Sequence, residues 1–402
     1  MIRPFLLIAA SLLATTVRAQ PAASVIAELE ATQRRAAEKS ASIREREQAA
    51  DKAMELRAKL IEATPPDDPR LAGWMLDSAA GELARLGRDG SDTAVLFGIP
   101  LPAQKDAAKQ AAQRAAALLE QARASLNERL PGVESFPPDD PKRTQVEQDR
   151  TVRIPFFAAR TSVILAACSS GADRIRHAKA AFDGVGKLSL SNAGPESIRR
   201  VCIGAALLYR AEPPDPADLQ TAIDEFGWVL TGGPGGRPQA EASVATRAEA
   251  WFGLIAAAGG LGRLDAMLEQ FAPALAKGPF IGPDGHPDFL LVVLVFDAIS
   301  RAWAEQGFRK HDRALLDRAV LEQQSLLRRQ DLAVRPDALR PLAYQKLHLL
   351  GQSGSGVDLP PAMDLARAID AARDPTRRAE AIKLLQAVAD AKDAGDFAAD
   401  AL

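Results

Sequence analysis

The chain has 402 residues, of which 47% are hydrophobic and 25% charged, an ordinary globular composition with ample apolar surface to bury. Fifty Lys and Arg face 52 Asp and Glu, for a formal net charge of −2. Neither sign is in excess, which argues against a nucleic-acid partner or an anionic membrane surface.

The first nineteen residues read as a targeting segment. Arg3 supplies the positive start, Phe5 to Val17 the apolar stretch, and Val17 and Ala19 the small residues at −3 and −1. Cleavage between Ala19 and Gln20 is expected, giving an exported chain, periplasmic or secreted, with no stable membrane span afterwards. The apolar run 289–296 is too short to span and reads as the buried face of a core helix.

Residues 20–135 form a predicted N-terminal helical region. One long helix is expected over 22–63, rich in Ala, Glu, Arg and Lys, and closed by Pro65 and Pro66. A second runs over 69–87. A loop over 87–102 carries the apolar patch Val95, Leu96 and Phe97. A third helix, 103–130, is Ala-rich and stops at Pro131 and Gly132. The stretch 131–141 is the predicted domain boundary. Aspartate precedes proline at Asp68, Asp140, Asp215 and Asp374. Aspartate is a favoured helix cap and proline a favoured first helical residue, so each pair marks a helix start.

A second region, 140–395, reads as stacked helical hairpins: 142–170 with 172–188, 196–211 with 216–231, 240–259 with 261–277, 287–306 with 311–330, and 336–351 with 359–372. A terminal helix follows over 375–394. Phe182, Phe226 and Phe271 recur at spacings of 44 and 45 residues, each four positions after Ala178, Ala222 or Met267. These phenylalanines and Trp251 are the predicted packing residues of a repeat. No segment alternates with period two, so no sheet is expected and the fold class is all-α.

The hairpin Ala248–Leu275 carries a resemblance. Trp251 and Leu254 match the Trp-x2-Leu opening of a tetratricopeptide repeat, and Ala266 or Met267, Phe271 and Ala274 fall near its second-helix positions. Ile255 and Ala258 depart from that pattern, and the period exceeds 34. The segment 154–350 resembles a degenerate tetratricopeptide-like array; a HEAT-like array fits the period as well. The resemblance implies a solenoid whose first helices line a groove for peptides or proteins. On that reading Arg199, Arg200, Arg210, Arg247 and Arg301 would line a carboxylate-binding groove. A solvated helix face is the plainer reading of the same arginines.

The motifs of common chemistry are missing. His177, His286, His311 and His348 are scattered without metal-ligand spacing. Gly232–Gly236 lacks the Lys-Ser/Thr of a phosphate loop, and 351–355 lacks the last glycine of a nucleophile elbow. No metal, cofactor or catalytic residue is expected. Trp74, Trp228, Trp251 and Trp303 read as helix-packing anchors. Cys168 and Cys202 would meet an oxidising compartment and are a candidate disulfide. An offset of about eight residues, roughly 12 Å along parallel helices, favours two separate buried residues.

The reading these features support is an exported, non-enzymatic scaffold that binds a peptide or protein on a helical groove. The alternatives are a helical-toroid enzyme acting on polysaccharide or envelope material, and a self-assembling structural subunit of the envelope.

Overall fold

The computed structural model describes residues 23–38, 40–65, 68–88, 91–188, 193–231, 244–269, 289–327, 344–350 and 361–401. It is all-α, and no strand occurs among the described residues. In chain order the helices are α1 (23–37), α2 (Ile43–Ala63), α3 (Leu71–Arg88), α4 (Ser91–Phe97), α5 (Pro102–Val133), α6 (Pro141–Gln148) and α7 (Ile154–Cys168). They continue with α8 (Gly171–Gly186), α9 (Ala193–Tyr209), α10 (Pro216–Thr231), α11 (Val244–Gly260) and α12 (264–269). The last six are α13 (Phe289–Lys310), α14 (Arg313–Leu327), α15 (344–350), α16 (Pro361–Ala372), α17 (Arg378–Asp390) and α18 (Asp396–Ala401).

All four Asp-Pro starts form as caps. The Asp68, Asp140, Asp215 and Asp374 carboxylates accept the backbone N–H of Arg70, Lys142, Ala217 and Thr376, each at 2.8 Å. Each bond satisfies an N–H that the first helical turn leaves without a partner.

The predicted 22–63 helix is two helices. Between them Ser40 Oγ donates to the Glu38 carboxylate at 2.8 Å, and Ala41 N–H to Glu38 O at 3.2 Å. Ser42 then opens α2 with a capping box: its hydroxyl accepts Glu45 N–H, and Glu45 accepts Ser42 N–H. Serines that bond the local backbone compete with helix continuation, and Ser-x-x-Glu is a start signal inside what composition alone makes one helix. Two further boundaries differ. The segment 91–97, expected within a loop, is the helix α4, and α5 runs through Pro131 to Val133.

The helix from Pro141 to Cys168 is continuous over 28 residues, with a π-helical turn at Asp149–Arg153. By length and composition alone it could cross a membrane; half of its apolar window is buried within the fold, as in a core helix.

The chain divides into two compact units. One runs to Arg85 and resumes over Ala111–Thr161; the other comprises Leu86–Gln110 and the chain from Ser162. The expected break was 131–141. The division instead assigns the turn between α3 and α5, with α4 in it, to the second unit.

In the first unit, Leu29, Ala53, Leu56 and Leu60 form a core with Trp74 packed on it. In this unit helix α5 carries a narrow buried stripe at Ala112, Ala115, Leu119, Ala122 and Leu126, spaced 3, 4, 3 and 4 residues apart. That is a seam of coiled-coil type, and its alanines permit close helix approach.

In the second unit, consecutive helices pack as α8–α9, α9–α10, α10–α11, α11–α13 and α13–α14, and α9 also packs on α11. Helix α11 is buried almost all round, at Ala248, Ala250, Trp251, Phe252, Leu254, Ile255, Ala257 and Ala258. Beyond the exposed Arg247 in its first turn, a helix this apolar on all sides is one enclosed by neighbours. A C-terminal cluster of Leu326, Leu327, Tyr344, Leu347, Met363, Leu365, Val388 and Phe397 is built from α14 to α18.

Candidate functional site

Helices α9, α11 and α13 of the second unit hold α4, which packs against both α11 and α13. All seven residues of α4 are buried, and Leu96 and Phe97 are fully enclosed. Phe97 meets Phe226 edge-on, with ring centroids 5.8 Å apart and planes at 85°. Phe226 comes from α10 and reaches this point between two glycines. A Cβ on Gly204 of α9 would stand 2.7 Å from Phe226 Cζ, and one on Gly253 of α11 closer still. The missing side chains are what let the ring through. A face of edge-to-face aromatics in a dry site adds about 0.5–1.5 kcal/mol beyond area burial.

The C-terminal end of α4 is gripped by its backbone. Tyr209 of α9 donates its hydroxyl to Leu96 O. Arg301 of α13 donates to Gly98 O at 3.0 Å, and Asp297 Oδ2, also on α13, accepts Ile99 N–H at 2.8 Å. A cation beside terminal carbonyls and a carboxylate beside an N–H each satisfy groups that a helix end leaves exposed. Gly98 is required here, because a Cβ would run into the Asp297 carboxylate.

Asp297 is also the partner of Lys346 on α15, at 2.7 Å, with both side chains wholly buried. Gln323 Nε2 on α14 lies 3.4 Å from Asp297 Oδ1. Burial pushes the Asp297 carboxyl above the ordinary carboxylate range, against the help of Lys346 and of the Ile99 N–H. One carboxylate thus ties α4, α13, α14 and α15 together.

Four of the five predicted groove arginines are engaged within the fold. Arg199 bonds Glu196 at 2.7 Å, and Arg200 bonds Glu196 and Glu225 while lying 4.2 Å over the Trp228 ring. Burial opposes the charge of Glu196, yet Arg199 and Arg200 together hold its carboxyl below the usual range. Arg210 pairs with Asp218 and sits 4.8 Å over Phe182. Arg301 bonds Glu305 as well as Gly98 O. Arg247 is exposed. Carboxylates of the chain itself occupy the forks that were expected to face a ligand carboxylate.

Of the predicted packing residues, Phe226 and Trp251 are buried and Phe182 is half-buried; Phe271 lies outside the described residues, as do Ala19 and Gln20. The candidate disulfide is not formed. Cys168 and Cys202 are separate buried thiols, and Cys168 Sγ donates to Lys105 O at 3.5 Å. Burial pushes the Cys168 thiol up to about 11, so almost no thiolate exists at neutral pH. A thiol reagent at pH 7.5 is expected to leave Cys168 unmodified in the native chain and to modify two thiols per chain in denaturant. Prompt modification of Cys168 in the native chain would contradict its burial.

The first unit has a cleft of about 490 Å³, lined by Asp77, Leu126, Arg129, Lys142, Asp149 and Arg153 among others. Arg153, on the π-helical turn, bridges Asp149 and Asp77 at 2.9 Å each. Arg153 thus matches both carboxylates of the lining, while Arg129 donates to Pro69 O at 2.8 Å and Lys142 Nζ lies 5.9 Å over the Phe136 ring. No cluster of His, Cys, Asp or Glu suited to a metal ion occurs among the described residues.

Sequence reasoning located the Val95-Leu96-Phe97 patch but not its seat. It passed over Asp297 and Lys346 altogether. The available signal was an acid that directly ends an eight-residue apolar run, a position where a lone carboxylate is forced into the core.

Compared with protein-family models, curated proteins and solved structures, the chain matches none of them.

Proposed function

We infer that this protein is an exported, non-enzymatic interaction scaffold built on a tetratricopeptide-like solenoid, binding a protein or peptide segment on the face of its first helices. One observation carries the reading: α9 packs on α10 and on α11, and α11 packs on α10 and on α13. First helix leaning on next first helix, with the second helix behind, is the step by which a hairpin that cannot bury its own apolar side builds an extended surface. The secretory-type start, Arg3 with the apolar stretch to Val17, supports the export.

The experiment is in-cell photo-crosslinking of the full chain with probes on α9 and α13, together with sequencing of the N-terminus after fractionation. The expected result is one recurrent protein partner and a mature chain beginning at Gln20. Probes on both helices that capture no partner would overturn the scaffold reading. A mature chain that keeps Met1 would overturn the export.

A further inference from the structure

We propose that the cleft of the first unit is a binding site for a small organic carboxylate, its acid group met by Arg129 and Lys142 and its apolar part lying against Ala72, Leu126 and Val146. The site belongs to one unit and stands apart from the scaffold reading, which concerns the helices of the second.

The charges of the lining give the sign of the ligand. Three cations, Arg129, Lys142 and Arg153, stand against two carboxylates, Asp77 and Asp149, an excess of one positive charge. Both carboxylates are already taken. Arg153 bonds each of them at 2.9 Å, and Gln145 Nε2 donates to Asp149 at 2.9 Å. The other two cations are engaged only by neutral groups. Arg129 gives one N–H of its fork to Pro69 O, and Asp68, beside that proline in the chain, is held by Arg70 at 2.7 Å. Lys142 rests its ammonium over the Phe136 ring, a contact that uses the charge and leaves N–H donors over. Neither pairs with a carboxylate among the described residues. A guanidinium fork with N–H groups to spare and a compact ammonium in one lining suit a single carboxylate.

The shape of the cleft asks for more than a bare ion. At about 490 Å³ it falls in the range that takes small organic molecules, and Ala72, Leu126 and Val146 give it apolar surface. Gly73 keeps it open. Gly73 and Asp77 stand four residues apart on one face of α3, both line the cleft, and a Cβ at 73 would meet nothing within 4 Å. Glycine inside a helix is unfavourable relative to alanine, and no neighbour here requires it. Its effect is space in the cleft. The lining also includes the ends of the π-helical turn Asp149–Arg153, a rare geometry that recurs at functional sites.

The test is titration calorimetry of the full chain with benzoate and hexanoate, each against its neutral amide, and with inorganic phosphate. At least one carboxylate is expected to bind saturably with a Kd below about 10 mM, and at least about tenfold tighter than its amide and than phosphate. Two variants locate the binding. One combines Arg129→Met with Lys142→Met and removes both cations. The other, Gly73→Leu, fills the cleft from α3 while raising helix propensity, so it keeps the fold even where the first does not. Each folded variant is expected to bind at least about tenfold more weakly than the wild type. No binding by either carboxylate would overturn the proposal, as would amides that bind as tightly as the acids. Binding unchanged in Gly73→Leu would place any carboxylate elsewhere and overturn it too. Phosphate binding as tightly as the carboxylates would also overturn it, since the apolar lining would then play no part.

Discussion

Replacing Phe226 with alanine is expected to destabilise the second unit by about 3–5 kcal/mol, the usual cost of deleting a buried aromatic ring. Phe226 is fully enclosed, and its ring fills the gap that Gly204 and Gly253 leave between α9 and α11 and reaches Phe97. The ring stands between the two glycines, so collapse around the void would have to draw two helices together. Gly253→Ala alone is expected to cost about 1–3 kcal/mol, because its methyl overlaps the ring. The two effects share one space and are not independent. With Phe226 already alanine, the methyl at 253 enters the vacated passage, and alanine is favoured over glycine within a helix by about 1 kcal/mol. Gly253→Ala should then be neutral or stabilising. A thermal or urea double-mutant cycle reads this directly. Additive losses would mean that the ring does not pass between the glycines.

That passage shows what a sequence can and cannot disclose. Phe226 stands out in the chain because it recurs with Phe182 and Phe271, and the repeat spacing points to the core. Yet Phe182 at the equivalent position is half-buried and lies under Arg210. The spacing carries no information on depth, because depth depends on which neighbours are glycine. The Asp-Pro caps were legible because capping is a local bond within two or three residues. The break at residues 38–42 was encoded equally locally, in Ser42 and Glu45, but a long helix-favouring composition masks a single capping box. The seat of α4 was not legible at all. Residues 91–99 meet Tyr209, Asp297 and Arg301 across more than a hundred positions, and no local rule encodes such pairings. The partners of the groove arginines were not legible for a related reason. Arginine at helical spacing says which face of a helix is charged; it does not say that Glu196, Glu225 and Asp218 are already placed to meet that charge.

The buried pair gives the second large effect. Lys346→Met should cost about 3–5 kcal/mol at pH 7, because it leaves the Asp297 carboxylate enclosed without its counter-charge. Methionine matches the lysine stem closely, so the loss reports the charge and not a cavity. The effect depends on pH in a definite sense. Asp297 has a folded-state pKa raised above its ordinary value of 3.8 by burial, and removing Lys346 raises it further. Below the unfolded pKa both states hold the proton, and the carboxyl does not penalise folding. As the pH rises from there through the folded pKa, the unfolded chain releases the proton first, and stability falls. The gap between Lys346→Met and wild type should therefore be small near pH 4 and widen towards pH 7, as read by urea unfolding at each pH. Adding Asp297→Asn to Lys346→Met removes the stranded charge while keeping an oxygen for the Ile99 N–H, and should recover most of the loss. Equal losses at both pH values, with no recovery in the double variant, would mean that Asp297 is not the enclosed carboxylate on which α4, α13, α14 and α15 converge.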